Sequence, residues 1–178
     1  MVKRTAELTS LEREVWDALA GVHDPEIPPC SITDLGIVER VRVSDDAVEV
    51  DLLPTFAGCP ALDVIRQDAE AAVDALAGGR DLRVRFVYSP PWTSDRITRA
   101  GREALKSYGL TPPDDDRSGV LIPLGSLRGS ASAITCPFCG SQQTVLESAF
   151  GPTLCRSTHF CSACRNPFEA FKPKLMGS

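Results

Sequence analysis

Residues 41–88 read VRVSDDAVEVDLLPTFAGCPALDVIRQDAEAAVDALAGGRDLRVRFVY, and the changes of period within this stretch decide the fold. Val41 and Val43 alternate with Arg40, Arg42 and Ser44; Asp45-Asp46 marks a turn; Val48, Val50 and Leu52 then alternate with Glu49 and Asp51. Alternation on both sides of a turn predicts an antiparallel hairpin with one apolar face. The period then lengthens: Leu62, Ile65, Ala69, Ala72, Val73 and Leu76 fall on one face of a helix that stops at Gly78-Gly79. Val84, Phe86 and Tyr88 alternate with Arg83 and Arg85, predicting a third strand that Pro90-Pro91 ends.

Working outward toward the N-terminus, the capping-box pair Thr9 and Glu12 precedes Leu11, Val15, Ala18, Leu19 and Val22 at helical spacing. This predicts a first helix from about Thr9 to Gly21. Between it and the hairpin, His23 to Gly36 holds Pro25, Pro28 and Pro29, which forbid regular helix and predict a structured loop. In the other direction, Ile97, Ala100, Ala104, Leu105 and Tyr108 share a face, predicting a third helix over about Arg96–Tyr108. Pro112-Pro113, Asp114-Asp115-Asp116 and a stretch rich in Gly and Ser to about Ser132 have the composition of a linker. The expected organisation is an α+β domain over 1–110, with helix-strand-strand-helix-strand order and an added helix, a linker over 111–133, and a module over 134–178. Charge follows the same division: 134–178 carries four Lys/Arg against two Asp/Glu, and the remainder 15 against 22.

The C-terminal module carries the sharpest chemical signal. Cys136-Pro137-Phe138-Cys139-Gly140 and Cys161-Ser162-Ala163-Cys164 each have the spacing that lets two thiolates of a tight turn converge on one ion. Four thiolates close a tetrahedral sphere and leave no open position, the pattern of structural Zn2+, although iron accepts the same ligands. Cys155 and His159 lie just upstream of the second pair, close enough to replace one of the four. So short a segment gains most of its stability from the ion.

Three of the seven cysteines, Cys30, Cys59 and Cys155, lie outside the two pairs. Pro60 is suited to the first position of a helix, which would place Cys59 at or near the N-cap, where free N–H groups favour thiolate. A packed core cysteine is the competing reading. Asp24, Glu26 and Asp34 cluster in the proline-rich loop, and could bind metal, accept loop amides or cap the next element. Cys30 reads as packed, and His23 as a structural hydrogen-bonding residue.

Net charge is −5 and pI about 5.1, which weigh against nucleic acid or an anionic membrane as partner. No apolar run approaches the roughly 20 residues of a membrane span, and Met1-Val2-Lys3-Arg4 leads into polar sequence with no signal-peptide core. A cytoplasmic protein is expected. A hydrolase nucleophile is disfavoured, since the chain has two histidines and neither lies near Cys59 in sequence.

Three ordered motifs, Asp24-Pro25-Glu26-Ile27-Pro28, Ser31-Ile32 with Asp34-Leu35-Gly36, and Thr55 with Gly58-Cys59-Pro60, resemble the small domain shared by cytosolic iron-sulfur assembly factors. Pro91-Trp92-Thr93, the run Ser148, Phe150-Gly151, Thr153 and Cys155, the two cysteine pairs and Pro167-Phe168-Glu169 with Phe171-Lys172 resemble one branch of it, the D (or J) components of bacterial phenylacetyl-CoA epoxidase systems. The resemblance implies an accessory maturation role for iron-sulfur or di-iron centres, with a transient cluster possible on the chain, and not a catalyst. Electron transfer or a structural role in the oxygenase complex is the alternative. It implies Cys59, Asp24, Glu26 and Asp34 as the positions concerned with cluster or iron transfer. The implied partners are the reductase and oxygenase subunits of the system, with a homo-oligomer possible and neither nucleic acid nor membrane.

Overall fold

The structure is a computed structural model that describes residues 9–113, 134–153 and 155–172. The chain divides into two compact units, Met1–Gly101 and Arg102–Ser178. The first opens with helix α1 (Ser10–Ala20), whose capping box is complete: the Thr9 side chain accepts the Glu12 N–H and the Glu12 carboxylate accepts the Thr9 N–H. Two orphan donors of the first turn are thereby satisfied. Strands β1 (His23–Asp24) and β2 (Ile27–Ser31) follow, paired antiparallel with each other alone. The expected loop thus contains a small ribbon; Pro28 and Pro29 are accommodated because neither is in the interior of a larger sheet.

Strands β3 (Val38–Val43) and β4 (Ala47–Leu52) form the expected hairpin, with Arg42 opposite Glu49 and Val43 opposite Val48. Helix α2 (Leu62–Ala77) then crosses over to β5 (Asp81–Phe86), which lies parallel to β4 with Val50 opposite Val84. Helix α2 packs on α1 and β5, and α1 on β3. Val15 and Leu19 of α1 and Ile65, Ala69 and Val73 of α2 are buried, as are Val41, Val48, Val50, Leu52 and Val84 of the sheet. Each large aliphatic side chain so buried contributes about 1.5–3 kcal/mol.

Several boundaries differ from expectation. Strand β5 stops at Phe86, leaving Tyr88 exposed. Helix α2 starts at Leu62 with Ala61 as its N-cap, so Cys59 does not cap it and Pro60 is not its first residue. Proline's restricted φ suits the turn that the Leu62 N–H closes on the Cys59 carbonyl at 3.4 Å as well as it suits a first helical turn. Helix α3 is Arg99–Ser107, shorter than expected, because a 3-10 turn at Ser94–Arg96 is broken at Ile97 and the Thr98 hydroxyl caps the Gly101 N–H at 3.0 Å. The division between the units falls within this helix.

In the second unit, β7 (Thr144–Ser148), β8 (Arg156–Cys161) and β9 (Pro167–Phe171) run antiparallel in succession, and β6 (Leu110–Thr111) adds parallel to β9. Leu110 and Thr111, expected at the end of the first domain and the start of the linker, are therefore strand residues of this sheet. Of the expected linker, Pro112 and Pro113 follow β6 and are buried, and 114–133 lies outside the described residues. Among the described residues no helix is long and apolar enough to cross a membrane.

Candidate metal centre and thiol loop

The four-cysteine cluster is built from two turns of the same construction. In the first, the Cys136 N–H donates to the Ser141 carbonyl at 2.9 Å and the Gly140 N–H to the Cys136 carbonyl at 3.0 Å. In the second, the Cys161 N–H donates to the Asn166 carbonyl at 3.0 Å and the Arg165 N–H to the Cys161 carbonyl at 2.8 Å, with identical sequence offsets. The residue after each second cysteine has positive φ, 73° at Gly140 and 61° at Arg165. The second turn joins β8 to β9, and a Ser162 N–H bond to the Gln143 carbonyl at 2.8 Å ties the two turns together.

The sulfurs of Cys136, Cys139, Cys161 and Cys164 all lie within 4.8 Å of one another. Cys136 and Cys164 are 3.7 Å apart and Cys139 and Cys161 3.6 Å, close to the edge of about 3.8 Å expected for thiolates at about 2.3 Å from a tetrahedral ion. A disulfide needs about 2.05 Å. The residues therefore fit a four-thiolate metal. Backbone N–H groups assist the ligand form at two positions: those of Cys164 and Ala163 lower the Cys161 thiol to about 7, and that of Ser141 acts in the same sense at Cys139, whose thiol is nonetheless raised by burial and by its three neighbouring sulfurs. Phe168, with Ile134 partly buried beside it, packs against Cys136 and Cys161. Cys155 and His159 stand outside the cluster. The Cys155 sulfur is 3.1 Å from the Thr153 hydroxyl, and the His159 ring stacks on Phe168 with Nε2 2.9 Å from the Ser157 hydroxyl.

Cys59 sits in the segment 53–61 that leaves the carboxyl end of β4, beside the parallel strand β5. In open sheets with parallel strands this end is where ligands are met. Its N–H donates to the Phe56 carbonyl at 3.1 Å, and the residue is half-buried between exposed Gly58 and Pro60. Asp24 and Asp34 are committed to local structure: Asp24 accepts the Glu26 N–H at 2.8 Å, and Asp34 accepts the Ser31 hydroxyl at 2.9 Å and the Thr98 hydroxyl at 2.6 Å. Glu26 is exposed. Among the described residues, the four paired cysteines are the one set of three or more ligand groups within reach of a common ion, so Cys59 and the three acids do not converge as ligands. Burial raises the Cys30 thiol to about 11, with Asp24 and Asp34 adding to the effect. His23 is structural: Nδ1 bonds the Pro28 carbonyl at 2.7 Å across the β1–β2 ribbon.

Residues 12–86 match the model of the iron-sulfur cluster assembly protein family, and 123–172 that of the PaaD zinc β-ribbon domain. An Escherichia coli protein, named as the D component of a "Putative 1,2-phenylacetyl-CoA epoxidase", is 35% identical over 89% of this chain and 91% of its own length. The chain belongs to the family of phenylacetyl-CoA epoxidase D components. A Porphyromonas gingivalis protein named Fe-S protein maturation auxiliary factor is 31% identical over 58% of this chain and 96% of its own length. A solved domain of unknown function (DUF59) from Bacillus anthracis is 27% identical over 53% of this chain and 91% of its own, with a TM-score of 0.49.

In this member of the epoxidase D-component family a clamp holds the acidic loop, and sequence reasoning missed most of it. The Trp92 indole N–H donates to the Leu35 carbonyl at 2.9 Å, Arg96 Nε to the Gly36 carbonyl at 3.0 Å, and the Thr98 N–H to the Asp34 carbonyl at 2.9 Å. A Cβ on Gly36, which has φ 66°, would lie 2.5 Å from the Arg96 Cβ; one on Gly101 would lie 2.6 Å from the Asp34 carbonyl oxygen. Only glycine permits so close an approach. Pro91-Trp92-Thr93 is visible as a motif, but Arg96 and Thr98 carry no local signal, since their partners lie about 60 residues earlier in the chain.

Proposed function

We propose that the chain is an accessory maturation factor that helps load the iron-sulfur or di-iron centres of a multicomponent phenylacetyl-CoA ring epoxidase in the cytoplasm, and does not catalyse the epoxidation. The observation that carries this reading is the presence on one chain of an assembly domain and a PaaD ribbon, with similarity along 89% of its length to a relative named for that epoxidase. Cys59 is the transfer contact, a half-buried thiol on a loop at the carboxyl end of parallel strands. Iron and its clusters are the cargo, for which a thiolate is the soft ligand. Asp24 and Asp34 serve by holding the loop 24–36 in shape, and Glu26 is its exposed carboxylate. Cys136, Cys139, Cys161 and Cys164 hold Zn2+, which ties the two turns together and supplies folding stability.

The test is Cys59→Ser, co-expressed with the reductase and oxygenase subunits. Serine is nearly isosteric, so the variant is expected to fold as judged by circular dichroism while the partners lose iron or cluster content. Fully loaded, active partners beside a folded serine variant would overturn the role of Cys59. The same four-thiolate geometry accepts iron, which would make the chain an electron-transfer component. A purified protein that is red, with iron in place of zinc, would establish that second reading.

A further inference from the structure

The outer face of the β3–β4–β5 sheet carries two rows of charge in strict register. Arg40, Asp51 and Arg85 lie side by side across the three strands, and Arg42, Glu49 and Arg83 form the next row. The four arginine side chains are 49 to 57% exposed, whereas Asp51 is 2% exposed beneath them. Asp51 Oδ2 accepts Arg40 Nε at 3.1 Å and also Nη2, and Oδ1 accepts Arg85 Nε at 2.8 Å. Glu49 pairs with Arg42 at 3.3 Å and Arg83 at 3.8 Å; at the end of the face Asp81 pairs with Arg83 at 2.5 Å. The helical side is opposite in sign: α1 and α2 carry seven carboxylates, Glu12, Glu14, Asp17, Asp63, Asp68, Glu70 and Asp74, against Arg13 and Arg66. In an acidic protein this face, with four arginines against Asp51, Glu49 and Asp81, carries a small excess of positive charge presented by exposed guanidinium groups. Arg40 and Arg85 neutralise the buried Asp51 carboxylate, but the exposed pairs of Arg42 and Arg83 add only about 0–1 kcal/mol each, so stability gives little reason for the second row.

We propose that this face is a docking surface for an extended, acidic segment of a partner protein, laid along the strands with alternate Asp or Glu side chains on the two arginine rows. The rows lie about 7 Å apart, twice the rise per strand residue, and this is also the spacing of alternate side chains in an extended segment. Arg40 and Arg85 are pre-oriented by the buried carboxylate between them, which reduces the ordering cost of binding. Arginine forks match carboxylates in paired geometry. A long polyanion such as nucleic acid suits the face less well, because it would run beyond the two rows onto a chain that is otherwise acidic, whereas a short segment ends with them.

The test uses the full chain and a fluorescently labelled peptide of roughly ten residues with Glu at alternate positions, followed by anisotropy at low salt. Saturable binding is expected, weakened at least about five-fold between roughly 50 and 300 mM salt. Arg42→Gln with Arg83→Gln is expected to weaken it at least about ten-fold. These two are chosen because removing Arg40 or Arg85 would strip partners from buried Asp51. Should the double variant prove unfolded by circular dichroism, Arg42→Gln alone carries the test, with a smaller loss in the same direction. Amide shifts on binding are expected along β3, β4 and β5. Absence of binding, binding unchanged by the substitutions, equal binding of an oligothymidylate of the same charge through the same arginines, or self-association that excludes the peptide would each overturn the proposal.

Discussion

Gly140 and Arg165 occupy equivalent positions in the two cysteine turns, with φ of 73° and 61°, yet only one is glycine. A Cβ on Gly140 would meet nothing within 4 Å, so any cost of Gly140→Ala comes from the backbone alone. That cost is expected to be about 1 kcal/mol, read as faster metal release to a chelator and a lower melting temperature of the ribbon. An unchanged release rate would show that the turn relaxes to another conformation. Cys30 gives a second prediction at this scale. Its thiol is raised to about 11 by burial first, then by Asp24 and Asp34. Between pH 9 and about 11 the unfolded thiol has lost its proton and the folded one keeps it, so the native state is destabilised as pH rises through this window. Cys30→Ala is expected to flatten that part of the stability profile. A thiol that is 0% exposed should also resist iodoacetamide while half-buried Cys59 reacts, as read by mass spectrometry of the native protein.

At the scale of elements, the segment 92–101 acts as a strap whose polar groups replace water on the loop 31–36. Thr98 is its pivot, since one hydroxyl caps α3 through the Gly101 N–H and donates to Asp34. Thr98→Ala removes both bonds and is expected to cost about 1–3 kcal/mol in a denaturant titration, while Thr98→Ser is expected to recover most of it. An alanine variant as stable as the parent would mean that Asp34 finds another donor and α3 another cap. The strap also explains why Pro90-Pro91, which follow the end of strand β5 at Phe86, do not end ordered structure. Trp92, next in the chain, is 1% exposed and bonded to the Leu35 carbonyl.

For the whole molecule, Cys136, Cys161 and Phe168 are the buried centre of the ribbon, with Cys164 half-buried and Cys139 exposed, and a module with so little apolar core depends on its ion. Chelation under reducing conditions is expected to remove hydrogen-exchange protection from β7, β8 and β9 while β3, β4, β5 and α2 keep theirs. Simultaneous loss in both units would show that they fold as one. Much of this architecture was legible in the sequence. Period-two and helical patterning announced the hairpin, α2 and β5, Thr9 with Glu12 announced α1, and the paired cysteines announced the cluster, because each signal lies within one element or repeats at a fixed offset. The tertiary structure alone decided what depends on distant partners. Ala61, not Cys59, stands at the N-cap position of α2, because proline's φ is equally at home in a turn and at a helix start. Leu110 and Thr111 become strand only through β9, more than fifty residues later. The arginines of β3 and β5 read as ordinary solvent-facing residues until pairing with β4 sets them on either side of Asp51 and Glu49, since register across strands is fixed by packing and cannot be seen along one chain.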